Sequence, residues 1–337
     1  MNSQFRLAVL IALLLLVVTI ISAVGSGSVN MSFQQVIDAL IGCSASTEKC
    51  AVNPIHEQII WDIRLPRILM ATITGAGLSV TGAILQSVTR NPLADPYLFG
   101  ISSGSALGAV VVMSSLTSAM ITVTAGALLG GAFSVILMLT LAGRAAIQVE
   151  KLLLSGVAVS FMLSALTSLI LYNSGPEMAS TLLFWMMGSF SNSQWSELIL
   201  PSIILFVGIT LFFIYRRWLV VIQAGDESAL TLGIPVNRLR LFMLIICSSI
   251  TAVLVAHVGG IGFVGLMIPH ICRFMVGAQI HRVLIMSLLV GGIFMVWVDI
   301  VARTLMDYQV LPIGIVTSAL GSFFFFVILK RRREQAS

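Results

Sequence analysis

Hydrophobic residues fall in long runs along this chain, and polar residues gather in the breaks between them. The first run, 7–24, is uninterrupted. Nine more follow near 66–88, 97–114, 119–142, 152–172, 195–215, 239–257, 260–276, 283–301 and 311–329. A perpendicular bilayer crossing needs roughly 20 apolar residues. The pattern therefore predicts an all-α polytopic membrane protein with about ten transmembrane helices. The runs at 97–114 and 260–276 are short and rich in Gly, which suits helices packed inside the bundle. At 18 residues the first run exceeds the roughly 7–15 residues of a signal-peptide core, so a retained helix is predicted rather than a cleaved leader.

The breaks are informative too. Residues 29–61 read as a mixed polar loop. Residues 173–194 are too polar at both ends to span and predict a re-entrant or surface helix; within them Trp185, Met186 and Met187 are candidates to line a vestibule. Residues 216–240 form an amphipathic loop, and 330–337 a basic tail. No long polar segment is left over for a soluble domain, so residues 1–337 are predicted as one integral membrane domain.

Composition agrees: 58% of residues are hydrophobic and 9% charged, against about 25% charged in soluble proteins. The formal net charge of +5 does not imply nucleic-acid binding, because topology accounts for it. With the N-terminus in the cytoplasm, 14 basic residues lie inside and only Lys49, Arg64, Arg67 and Arg303 outside. The positive-inside rule favours that orientation, with both termini cytoplasmic. It also puts Cys43 and Cys50 in an outer loop, where a disulfide is plausible if the compartment is oxidising. Cys247 and Cys272 lie in or near apolar runs.

None of the 13 acidic residues lies at the centre of an apolar run. Ion-driven carriers usually hold ionisable groups at mid-membrane, so this argues against proton coupling. None of the three lysines, Lys49, Lys151 and Lys330, follows a Gly-rich phosphate loop, so the chain carries no P-loop ATPase site. Gly100-Ile101-Ser102-Ser103-Gly104 fits a hydrolase elbow, but it opens a membrane run and lacks the strand–turn–helix context. His56-Glu57 lacks a second His at metalloprotease spacing, and His270 has no second ligand near it. No catalytic or metal site is predicted. A self-sufficient secondary carrier and an intramembrane enzyme are the rival classes.

The most distinctive stretch is 64–108. Arg64 and Arg67 open an apolar run laced with Gly75, Gly77, Ser79, Gly82 and Ala83. A turn, Arg90-Asn91-Pro92-Leu93-Ala94-Asp95-Pro96, then breaks it, and Gly100, Gly104 and Gly108 follow at four-residue spacing. Small residues so spaced let membrane helices approach closely. Later segments are as specific: Gly225-Asp226 with Ala229 and Leu232-Gly233-Ile234, then 259–273 (GGIGFVGLMIPHICR), then Asp299 to Arg303 and Leu311 to Thr317.

Over nearly the whole chain this order of motifs resembles the FecCD/BtuC-type permeases, the membrane subunits of ABC importers for iron chelates, haem and vitamin B12. The resemblance implies a type II importer architecture, a homodimer with the substrate path at its interface, and a place in the bacterial inner membrane. It implies two ABC ATPase subunits on the cytoplasmic side, which use ATP and Mg, and a periplasmic substrate-binding protein; no cofactor is bound by this chain. Asp226, Ser228, Ala229, Leu232, Gly233 and Ile234 would form the ATPase-coupling region. Arg64, Arg67 and Arg303 would dock the binding protein; without the resemblance they read as snorkelling residues or as partners of Asp62, Asp299 or Asp307. Gly75, Gly82, Asn91, Pro92, Gly100, Gly104, Gly108, Gly262, Gly265, Pro269 and His270 would serve helix packing or gating. The expected substrate is a ferric siderophore, with haem, cobalamin or molybdate as alternatives.

Overall fold

The computed structural model describes residues 3–27, 31, 34, 36–37, 54–115, 122–143, 149–306 and 309–336. Every regular element among them is helical. In chain order these are α1 (Ser3–Gly25), α2 (Pro54–Gln58), α3 (Leu65–Thr89), α4 (Ile101–Ser115), α5 (Val123–Ala142), α6 (Val149–Asn173), α7 (Pro176–Met186), α8 (Trp195–Ile214), α9 (Arg216–Ala224), α10 (Asp226–Thr231), α11 (Val236–Val258), α12 (Val264–Val276), α13 (Ile280–Thr304) and α14 (Ile313–Ala336). Seven helical stretches are long and apolar enough to cross a membrane, and α4, α12 and α14 supply shorter apolar ones. These match the ten predicted runs. Cys43 and Cys50 lie outside the described residues.

Three boundaries differ from the sequence reading. The supposed loop ending at 61 is helical from Pro54, and Ile55–Thr89 is one stretch of 35 residues. Pro66 lacks an N–H for the carbonyl four residues back, and the ladder widens into a π-turn at Ile59–Arg64, closed by the Leu65 N–H on the Ile60 carbonyl. The 216–240 loop is two short helices, α9 and α10, and its last residues belong to α11. The basic tail is the last turns of α14, which runs on to Ala336.

α3 is the axis of the bundle, buried along nearly its whole length. A Cβ on Gly75 would collide with the Gly291 carbonyl of α13, and one on Gly82 with the Gly265 carbonyl of α12. Gly104 and Gly108 of α4 meet Gly130 and Gly126 of α5 in the same way. With lipid outside, the helices gain little from hydrophobicity and hold by such backbone proximity. Gly262 differs: among the described residues nothing lies within 4 Å of the Cβ it lacks. The outward faces of α1, α5, α6 and α8 carry exposed Leu14, Leu129, Phe161 and Phe206, as expected of helices facing lipid.

Side-chain contacts fix the directions. Phe5 of α1 packs edge-on against His281 at the start of α13, and Arg303 near its end reaches the Ser26 and Ala23 carbonyls. α1 and α13 are therefore parallel, and α3 runs against both. His270 of α12 contacts Phe324 of α14, which carries α14 back toward the face where α1 begins. That face, holding both ends of the described chain, is called the terminal face below.

Candidate functional site

At the terminal face, α9 and α10 project from the bundle on a built mounting. Arg90 ends α3 in a left-handed conformation, φ 51°, and its Nη2 lies 3.2 Å from Asp226 Oδ1. Arg240, on the first turns of α11 and buried, places Nη2 at 3.0 Å from both Asp226 oxygens. Its Nε donates to the Val88 carbonyl at 3.1 Å, one of the acceptors that a helix C-terminus leaves over. Asp226 thus ties α10 to both α3 and α11. The predicted coupling residues divide by direction. Asp226, Ala229 and Ile234 face inward, and the Ile234 N–H closes on the Ala229 carbonyl at 3.0 Å. Ser228, Leu232 and Gly233 are exposed, and Leu230 joins them at 59% exposure with Leu232 at 69%. An apolar pair is thus left in the open beside an anchored base.

Beside it, α12 is stitched to α3. Pro269 cannot donate to the Gly265 carbonyl, and Gln86 Nε2 takes that acceptor at 2.9 Å. Arg273 Nη1 then donates to Gln86 Oε1 at 2.6 Å. Gln86 was absent from the sequence-based site. The signal was available, since a proline inside a helix always frees the carbonyl four residues earlier. His270 packs edge-on against Phe274 at 4.9 Å and Phe324 at 5.9 Å. It shares a cavity of about 320 Å³ with Gln86, Pro92 and Arg273. Asn91 shapes the turn, its Oδ1 accepting from the Leu93 N–H at 2.9 Å.

At the opposite face the three predicted docking arginines are turned inward. Arg67 and Arg303 flank Asp299, which is wholly buried: Arg67 Nη2 lies 2.7 Å from Oδ1 and Arg303 Nε 3.0 Å from Oδ2. Arg67 also donates to Ser191 Oγ at 3.1 Å. Arg303 and Arg64 cap the end of α1, on the carbonyls of Ala23, Ser26 and Val24. Arg64 is 4% exposed and Arg67 8%. These guanidinium groups staple α1, α3 and α13 together, because one buried carboxylate and a row of unpaired carbonyls draw them in. A role as forks open to a docking protein does not fit this geometry.

One acidic residue is also not where the sequence suggested. Asp95, read as part of a polar turn at the inner surface, is folded back into the bundle. It is buried, its Oδ1 accepts the Tyr97 N–H at 2.8 Å, and its Oδ2 lies close to Gly265, which itself packs on the middle of α3. Gly100, with φ 77°, then turns the chain into α4. Asp95 and the wholly buried Asp299 thus put carboxylates in the interior although neither lies at the centre of an apolar run.

Two cavities open toward the opposite face. The deeper, about 230 Å³, is lined by hydroxyls from Ser102, Ser103, Ser164 and Thr167, with Trp185 and Met186. Ser103 and Ser164 bond to each other at 3.1 Å, and no His or carboxylate lines this space among the described residues. The outer cavity, about 540 Å³, shares Trp185 as a wall. Met187 instead uses its backbone carbonyl to accept from the Gly314 N–H at 2.8 Å.

Comparison with known proteins gives this geometry its setting. The model of the FecCD transport family matches residues 14–331. The chain is 40% identical to the cobalamin import system permease protein BtuC of Halobacterium salinarum, over 88% of its own length and 80% of that protein. It is 35% identical to the molybdate import system permease protein MolB of Haemophilus influenzae, over 92% and 91%. A solved inward-facing structure described as a metal-chelate type ABC transporter superposes with a TM-score of 0.84 at 31% identity, covering 97% of this chain and 99% of the other.

Proposed function

The chain belongs to the FecCD transport family, and from that premise we propose that it is the permease of a binding-protein-dependent ABC importer for ferric siderophores or related iron complexes. It is a multi-pass membrane protein of the ABC permease class. The observation that carries the rest is the anchored α9–α10 unit. Its exposed Leu230 and Leu232 suit a groove on an ATPase, while Asp226 hands any displacement to α3 and α11.

In this reading the terminal face is cytoplasmic, which accords with its excess of basic residues. The opposite face holds few basic residues, and Arg67 and Arg303 there are paired with the buried Asp299. Two copies of the chain enclose the path, two ATPases dock inside, and a loaded binding protein docks outside on surfaces other than the buried arginines. ATP binding and hydrolysis by the partners drive alternating access. The relatives' cargoes differ, from cobalamin to molybdate, so family membership leaves the cargo to experiment. Iron complexes are favoured by the metal-chelate type of the matching structure.

Radiolabelled uptake in a strain lacking only this gene tests the cargo. The expected result is loss of ferric-siderophore uptake, restored by the gene on a plasmid and abolished by ATP depletion. Loss of haem, cobalamin or molybdate uptake instead reassigns the cargo within the same class. Unchanged uptake of ferric siderophores overturns the iron reading.

A further inference from the structure

The outer cavity has a chemistry of its own. His257, near the end of α11, places Nδ1 at 2.7 Å from the Val253 carbonyl. A carbonyl only accepts, so Nδ1 carries a proton, and Nε2 is the ring nitrogen that this bond leaves unused. The Glu197 carboxylate lies on the same wall system, with the Asn192 amide and three hydroxyl side chains. Phe184 and Trp185 add aromatic rings, and Met113, Val123 and Val258 the aliphatic part of the lining. No lysine or arginine lines the cavity among the described residues. The lining thus sets one carboxylate, an imidazole, an amide and hydroxyls among aromatic and aliphatic side chains.

Such a lining discriminates. A carboxylate and two aromatic rings favour a group that donates hydrogen bonds or bears positive charge, and the His257 ring stands beside them. An oxyanion would meet the Glu197 carboxylate with no lysine or arginine opposite it among the described residues, a like-charge contact. The volume, about 540 Å³, falls in the usual range for a small-molecule pocket. The cavity also shares Trp185 with the hydroxyl-lined space beneath it, so a ligand held here stands at the entrance to the deeper one.

We propose that this cavity is an entry subsite for the cationic, amine-bearing part of a metal chelate, with Glu197 and His257 as its recognition groups, and that it selects against oxyanions. The inference rests on the importer reading above and narrows its substrate class.

The test uses the full-length chain in lipid nanodiscs and two labelled probes: a ferric trihydroxamate with a terminal ammonium group, and its N-acetylated counterpart. Equilibrium dialysis should find the ammonium form held about five-fold tighter, the size of a partly exposed cation–π or ion-pair contact. Glu197→Gln should erase that preference. Its amide can still accept the Gln194 N–H that Glu197 now accepts at 3.4 Å, so the start of α8 is kept. His257→Phe, which keeps a ring but no lone pair, should weaken both probes. Equal affinity for the two probes, no binding of either, or displacement by molybdate overturns the proposal. ATP-dependent uptake by the complete transporter is measured in parallel. Uptake that ignores both substitutions removes the pocket and leaves the importer; selective binding without ATP-dependent uptake does the reverse.

Discussion

Alanine at position 299 is expected to destabilise the permease by about 3–5 kcal/mol, the range seen when one partner of a buried ion pair is removed. Asp299 is wholly buried and is the one carboxylate that meets both Arg67 and Arg303 among the described residues. Without it those two guanidinium groups retain only Ser191 and the carbonyls at the end of α1. Neither can shed its proton, so the charge stays buried and uncompensated. The joint between α1, α3 and α13 should loosen first. Thermal unfolding in detergent, followed for Asp299→Ala and for a variant with apolar residues at 67, 299 and 303, separates charge from packing. The triple variant should recover much of the loss, because replacing a whole buried ionic cluster by apolar groups is often near neutral. A loss below about 1 kcal/mol for Asp299→Ala, the scale of a solvated surface pair, would mean that water reaches the cluster.

The second large effect is on function. Asp226→Ala should reduce uptake on the order of ten-fold, a coupling free energy within the 1–3 kcal/mol typical of linked sites, while ATP hydrolysis by the assembled complex continues. Asp226 joins α10 to the bundle through Arg90 and Arg240. Once it is gone, the exposed Leu230 and Leu232 still suit the ATPase, but their motion loses its ion-pair route to α3 and α11 and keeps the weaker one through Gln223 on Ser87. Hydrolysis and uptake measured on the same proteoliposomes give the ratio that decides. A proportional fall in both would assign Asp226 to assembly or folding instead of transmission.

Much of the fold was legible because bilayer physics is coarse. Ten apolar runs became ten apolar helices, and Gly75, Gly82, Gly104 and Gly108 met backbone as their spacing suggested. What stayed hidden was direction. Arg64, Arg67 and Arg303 occupy the predicted end of the bundle, but a sequence does not say whether an arginine beside an aspartate on another helix points out or in. Asp299 and the bare carbonyls of α1 turned them in. The segment from Gly225 to Ile234 stood out by its motif, but its division into anchored and exposed sides needed Arg240, 14 residues from Asp226. His257 passed unnoticed as one polar residue in an apolar run; its significance comes from Glu197 and Trp185, which lie on other elements.

Asp95 bears most on the central claim. The acidic residues avoid the centres of the apolar runs, yet the structure buries Asp95 beside Gly265, apart from the ion-paired Asp299. A proton-coupled carrier would need such a group. The deciding measurement is substrate uptake into proteoliposomes that contain the permease with its ATPase and binding protein, with the proton gradient dissipated by a protonophore. ATP-driven import predicts uptake that requires hydrolysable ATP and is unchanged by the protonophore. Uptake that proceeds without the ATPase and collapses with the proton gradient would contradict it and point to Asp95 as the coupling group.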